Sequence, residues 1–125
     1  MVRILKLICT LTSLLILVSC GSGINYIGES KSWIGKYNVI INTKNSSQQG
    51  NYIFSYRGSS FKDNNIEELI IENGNKTTKL TNFSLFNGKV KIPVNCSGCA
   101  LPKKENPIKI TIRWENNEES FELIN

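Results

Sequence analysis

The stretch Lys89-Val90-Lys91-Ile92-Pro93-Val94-Asn95-Cys96 decides the fold. Valine, isoleucine, valine and cysteine occupy every second position, with lysine, proline and asparagine between them. That is the period-2 pattern of a half-buried β-strand, whose side chains point alternately to opposite faces. Pro93 has no N–H to give to a ladder, so the strand belongs at a sheet edge or carries a bulge. Asn87-Gly88 immediately before it is turn chemistry.

The same rhythm continues in both directions. Downstream, Cys96 to Asn106 reads as a loop, after which Ile108, Ile110, Ile112 and Trp114 alternate with Lys109, Thr111 and Arg113. Glu115-Asn116-Asn117-Glu118 then turns the chain into a last strand holding Phe121 and Leu123. Upstream, Leu69 and Ile71 share a parity, and Asn73-Gly74 favours a hairpin to Lys76–Leu80. Asn82 to Phe86 reads as a connection that buries Phe83 and Phe86. Earlier still, Trp33, Tyr37, Val39 and Ile41 fall on one parity, Asn45–Gly50 is a turn-rich break, and Tyr52, Phe54 and Tyr56 share one face of a second strand.

These segments make about seven short strands over residues 32–125, the size and rhythm of an immunoglobulin-like β-sandwich. The fold class is therefore all-β, with a small β-barrel as the alternative architecture. The Cys-Trp-Cys pattern of antibody domains is absent, so the expectation concerns the wider sandwich architecture.

The first twenty residues are of another kind. Arg3 and Lys6 form a basic head, Leu7 to Val18 is largely apolar, and Leu17-Val18-Ser19-Cys20-Gly21 follows. A basic head, about a dozen apolar residues and a small-residue end form the layout of a secretory signal peptide, helical in the precursor and short for a spanning helix. Leu17-Val18-Ser19-Cys20 resembles the lipobox of bacterial lipoproteins. The resemblance implies cleavage after Ser19, a thioether-linked diacylglycerol on Cys20, and a protein held at the extracytoplasmic face of the cell membrane. With heavy use of Asn, Ile and Lys, the chain resembles small uncharacterised lipoproteins of low-GC Gram-positive bacteria.

The expected organisation is then a signal peptide over residues 1–19, a lipidated N-terminus and flexible tether over 20–32, and a β-sandwich domain over 33–125. The tether, Gly21-Ser22-Gly23-Ile24-Asn25-Tyr26-Ile27-Gly28-Glu29-Ser30-Lys31-Ser32, would reach roughly 20 Å as a flexible coil. Loss of Arg3 and Lys6 lowers the formal charge from +5 to +3. Lys76, Lys79, Lys89, Lys91, Lys103, Lys104, Lys109 and Arg113 fall in a stretch whose single acid is Glu105, a basic zone suited to an anionic membrane or wall polymer. An envelope protein is the other expected partner. Nucleic acid is not, because no recognised motif or dense arginine patch is present.

Reactive chemistry concentrates in Asn95-Cys96-Ser97-Gly98-Cys99-Ala100. Ser97-Gly98 suits the centre of a turn, and an oxidising exterior favours a Cys96–Cys99 disulfide that pins a loop. Two sharper readings stay open: a thiol-disulfide redox pair, and a Cu(I) carrier using the two thiolates. The chain has no histidine, which removes imidazole bases and ordinary His-containing zinc sites. There is no Walker loop, dinucleotide fingerprint or nucleophile elbow, so no catalytic residue and no cofactor is expected. Trp33, Tyr37, Tyr52 and Tyr56 form a candidate binding patch for a peptide, glycan or protein, against the commoner fate of such a stripe as core. The expected function is a non-enzymatic interaction or accessory module at the cell envelope.

Overall fold

The alternation builds eight strands: β1 (Gly23–Glu29), β2 (Trp33–Asn42), β3 (Ser47–Tyr56), β4 (Asn65–Asn73), β5 (Lys76–Ser84), β6 (Lys89–Cys96), β7 (Ile108–Trp114) and β8 (Asn117–Leu123). The computed structural model describes residues 23–42, 44–59, 64–98 and 106–125, and among these there is no helix. The strands form two four-stranded sheets, in the orders β1-β2-β3-β6 and β5-β4-β7-β8, with every pairing antiparallel. We call them sheets A and B.

Turn chemistry sets the hairpins. Asn87 and Gly88 both have positive φ, as do Glu115 and Asn116. Two successive residues of positive φ make a type I′ turn, the two-residue loop whose twist matches that of the strands it joins. Gly74 also has positive φ and opens the two-residue loop between Asn73 and Lys76. This is the type II′ arrangement, in which glycine comes first.

Leaving β1 aside, the remaining strands divide as β2-β3-β6 and β5-β4-β7-β8, a Greek-key order in which β6 returns beside β3 and β7 beside β4. This is an immunoglobulin-like sandwich in which the fourth strand, β5, pairs with the third instead of joining the opposite sheet as in antibody constant domains. The barrel does not form. Among the described residues a single bridge, Ile27 to Ile124, links the sheets along one side. On the other side β5 and β6 remain edge strands, the edge being one of the two positions that Pro93 allows β6.

The domain starts earlier than composition suggests. Gly23–Glu29, within the expected tether of residues 20–32, is strand β1, paired with β2 from Gly23↔Ile40 to Glu29↔Ile34. Only Tyr26 of this strand is fully buried and exposed Ile27 breaks the apolar pattern in the sequence, so the strand is held largely by its ladder. Gly28 is required there: a Cβ would overlap the backbone carbonyl of Glu122 on β8.

Tyr26, Tyr37 and Tyr52 stand in one cross-strand row on the inner face of sheet A, ending at Ile92. Their rings stack, with centroids 5.8 Å apart for Tyr26–Tyr37 and 4.0 Å for Tyr37–Tyr52. Above them Trp33 meets Trp114 edge-on at 5.4 Å, across the two sheets. Ile66, Leu69, Ile71, Ile108, Ile110, Ile112 and Leu123 fill the facing side. Each such side chain contributes about 1.5–3 kcal/mol on burial, so these residues carry the hydrophobic stabilisation of the fold. The segment Asn82–Phe86 differs from expectation: Phe83 is half-buried, Leu85 takes the core position, and Phe86 is 81% exposed beside the Asn87-Gly88 turn.

Candidate functional site: the outer face of sheet A

Because Trp33, Gly35, Tyr37 and Val39 point inward, Ile34, Lys36, Asn38 and Ile40 of β2 must point outward. Register extends this into rows across β1, β2, β3 and β6. Glu29, Ile34, Ser55 and Lys89 form one row, and Ile27, Lys36, Ile53 and Lys91 the next. Asn25, Asn38, Asn51 and Pro93 form a third, followed by Gly23, Ile40, Gln49 and Asn95. The face thus combines amides, isoleucines and lysines. Its three lysines oppose one carboxylate, Glu29, which lies 3.4 Å from Arg57. Among the described residues no carboxylate pairs with Lys36, Lys89 or Lys91.

Sheet B presents the opposite arrangement. Its outer rows are Thr81, Glu68, Arg113 and Glu118; Lys79, Ile70, Thr111 and Ser120; and Thr77, Glu72, Lys109 and Glu122. Each basic group has an acid beside it on the neighbouring or diagonal position. Glu68 reaches Lys79 at 3.4 Å and Arg113 at 3.8 Å. Such exposed pairs add little stability, but they cancel the local field, which the lysines of sheet A leave standing.

This division corrects the single basic zone read from the linear sequence. Lys89 and Lys91 lie on sheet A, whereas Lys79, Lys109 and Arg113 lie among carboxylates on sheet B. The chain crosses between sheets twice in that stretch, so neighbours in sequence become residents of opposite faces. Lys103 and Lys104 lie outside the described residues.

The aromatic candidates are likewise relocated. Trp33, Tyr37 and Tyr52 are buried in the core and Tyr56 is partly buried against it, so this stripe is packing and not a binding patch. Burial pushes the Tyr52 hydroxyl well above the ordinary tyrosine range; the hydrogen bond from Asn73 Nδ2 at 3.2 Å opposes this, and its tyrosine neighbours reinforce it. Tyr37 is raised by burial and by Tyr26, and Tyr26 by burial. These hydroxyls stay protonated at physiological pH.

Cys96 ends β6, opposite the buried Gln48 of β3, and Ser97-Gly98 follows with Gly98 at positive φ. Cys99 lies outside the described residues, as do Cys20, the lipobox and the signal peptide. Among the described residues no group of three or more Cys, Asp or Glu side chains converges as a metal site would, and no helix is long and apolar enough to cross a membrane.

One further polar cluster is well defined. Glu119 of β8 accepts hydrogen bonds from Ser30 Oγ (2.6 Å), Ser32 Oγ (2.6 Å) and Ser32 N–H (2.9 Å). Burial alone would raise this carboxyl, but those bonds and the charge of Lys31 outweigh it and hold Glu119 below the usual glutamate range. The arrangement clasps the β1–β2 turn to the opposite sheet, which is a structural role. The chain matches no protein-family model, no curated protein and no solved structure.

Proposed function

We infer that this chain is a lipid-anchored extracytoplasmic protein that acts by contact at the cell envelope, with the outer face of sheet A as its working surface. The observation that carries this reading is the asymmetry of the two faces. Sheet B neutralises its own charge, whereas sheet A holds Lys36, Lys89 and Lys91 beside amides and exposed isoleucines. Lysines attract anionic surfaces, amides can donate and accept to polar groups, and isoleucines favour a partner that removes them from water. The lipobox at Leu17–Cys20 supports export and anchoring through diacylglycerol at Cys20. Cys96 and Cys99 then serve as a disulfide staple at the end of β6, a reading supported by the intervening Ser97-Gly98 turn.

A photoreactive residue in place of Asn51 on sheet A, or of Thr111 on sheet B, tests this in intact cells. Adducts to an envelope component, lipid included, should form from position 51 and be several-fold weaker from position 111. Equal yields, or adducts from sheet B alone, would contradict the assignment.

A further inference from the structure

The leash between lipid and domain would be short. A lipid on Cys20 would be separated from the first strand residue, Gly23, by Gly21 and Ser22 alone. Three Cα steps span at most about 11 Å. The domain would therefore pivot at the headgroups and could not stand away from them as a twelve-residue tether would allow.

Where the leash attaches limits the orientations available. β1 is the edge strand of sheet A, and Gly23 shares a row with Ile40, Gln49 and Asn95. The anchor pulls on the corner of the face that holds the uncompensated lysines. Ile40 and Ile27 on that face are 61% and 54% exposed, and Ile124, bridged to Ile27, is 58% exposed. Three of the four large exposed apolar residues thus cluster on or beside β1, among the described residues. The outer face of sheet B, with four carboxylates paired among three basic groups, offers an anionic surface no net attraction.

We propose that the outer face of sheet A rests on the anionic bilayer that holds the lipid anchor, with sheet B turned away from it. The proposal depends on lipidation of Cys20 and names the lipid surface as the partner of the face assigned above. Lysines 36, 89 and 91 lie in the headgroup region, isoleucines 27 and 40 enter the interface, and the charge-paired rows of sheet B face outward.

The test uses the full lipidated protein in vesicles of phosphatidylglycerol or of phosphatidylcholine, modified by an amine-reactive reagent that does not cross membranes. Mass spectrometry then reads each lysine and, in the same digest, the lipid on the N-terminal peptide. Lys36, Lys89 and Lys91 should react at least about fivefold more slowly on phosphatidylglycerol than on phosphatidylcholine, the factor of about 1 kcal/mol that a lysine gains near an anionic surface. Lys79 and Lys109 should react alike on both, and salt at about 1 M should abolish the protection. The double variant Lys36→Glu, Lys91→Glu should keep the lipid and lose the protection of Lys89. Equal rates on both vesicles in a chain that carries the lipid would overturn the docking while leaving the anchor intact. Protection in whole cells but not on phosphatidylglycerol would overturn it in favour of a wall polymer or protein. An N-terminal peptide without lipid would overturn the anchor, and the docking with it.

Discussion

Ile27 and Ile124 exchange two backbone hydrogen bonds, of 2.9 and 3.0 Å, and so tie the first strand of sheet A to the end of the last strand of sheet B. That contact makes β1 part of the folded domain, so the fold begins by Gly23.

Two glycines of β1 test the contact. Gly28→Ala places a Cβ on the Glu122 carbonyl, backbone that cannot give way easily, whereas a Cβ at Gly23 meets nothing nearer than 3.9 Å. Gly28→Ala should cost about 1–3 kcal/mol. Gly23→Ala should stay within about 0.5 kcal/mol. Thermal unfolding of both variants checks this; equal midpoints would mean that β1 is not integral to the fold.

Glu119 gives an acid-side prediction. Its carboxyl is held below its ordinary value of 4.5, so the stability it contributes is present above that pH and is lost as pH falls through the lower folded value. Glu119→Gln removes the charge that Ser30 and Ser32 bind and should cost about 1–2 kcal/mol at neutral pH, discounted for partial exposure. The difference between wild type and variant should shrink steadily below pH 4.5, as followed by denaturant titration.

The tyrosine row predicts contrasting responses to loss of a hydroxyl. Tyr52 accepts a hydrogen bond from Asn73. Tyr52→Phe should therefore cost about 1 kcal/mol. The buried Tyr26 hydroxyl has no hydrogen-bond partner among the described residues, so Tyr26→Phe should be neutral or stabilising. All three tyrosines are raised above 10.0, and the unfolded chain ionises first as pH rises through that value. Stability should therefore decline above pH 10, with the native ultraviolet titration lagging that of the denatured protein.

A Cys96–Cys99 staple has a measurable redox signature. The pair should have a reduction potential below about −300 mV, as structural disulfides do. Cys99→Ser should cost about 2 kcal/mol on the loop-closure argument. A potential near those of catalytic dithiols would transfer the motif to redox chemistry.

How much of this was legible in the sequence depends on which physical signal each feature leaves. β6 and β7 announce themselves because one face is buried and the other wet, and Asn73-Gly74 and Asn87-Gly88 announce turns because few residues adopt positive φ. Pro93 narrows β6 to an edge or a bulge, and the sheet order settles it as an edge. β1 leaves a weaker mark: its glycines resemble a linker and Ile27 stands on its exposed face, so pairing with β2 and β8 is what identifies it as a strand. The lysine face was hidden for a related reason. Strand parity sets Lys36 outward and Lys91 outward, but only register across β3 puts them in one row, and only the crossings between sheets part Lys89 and Lys91 from Lys109 and Arg113.

The mass of the mature N-terminal peptide, isolated from membranes, tests the short lipid leash most directly. It should begin at Cys20 and carry a thioether-linked diacylglycerol, which leaves Gly21 and Ser22 alone between the lipid and β1. A peptide that begins elsewhere, or an unmodified Cys20, would contradict it.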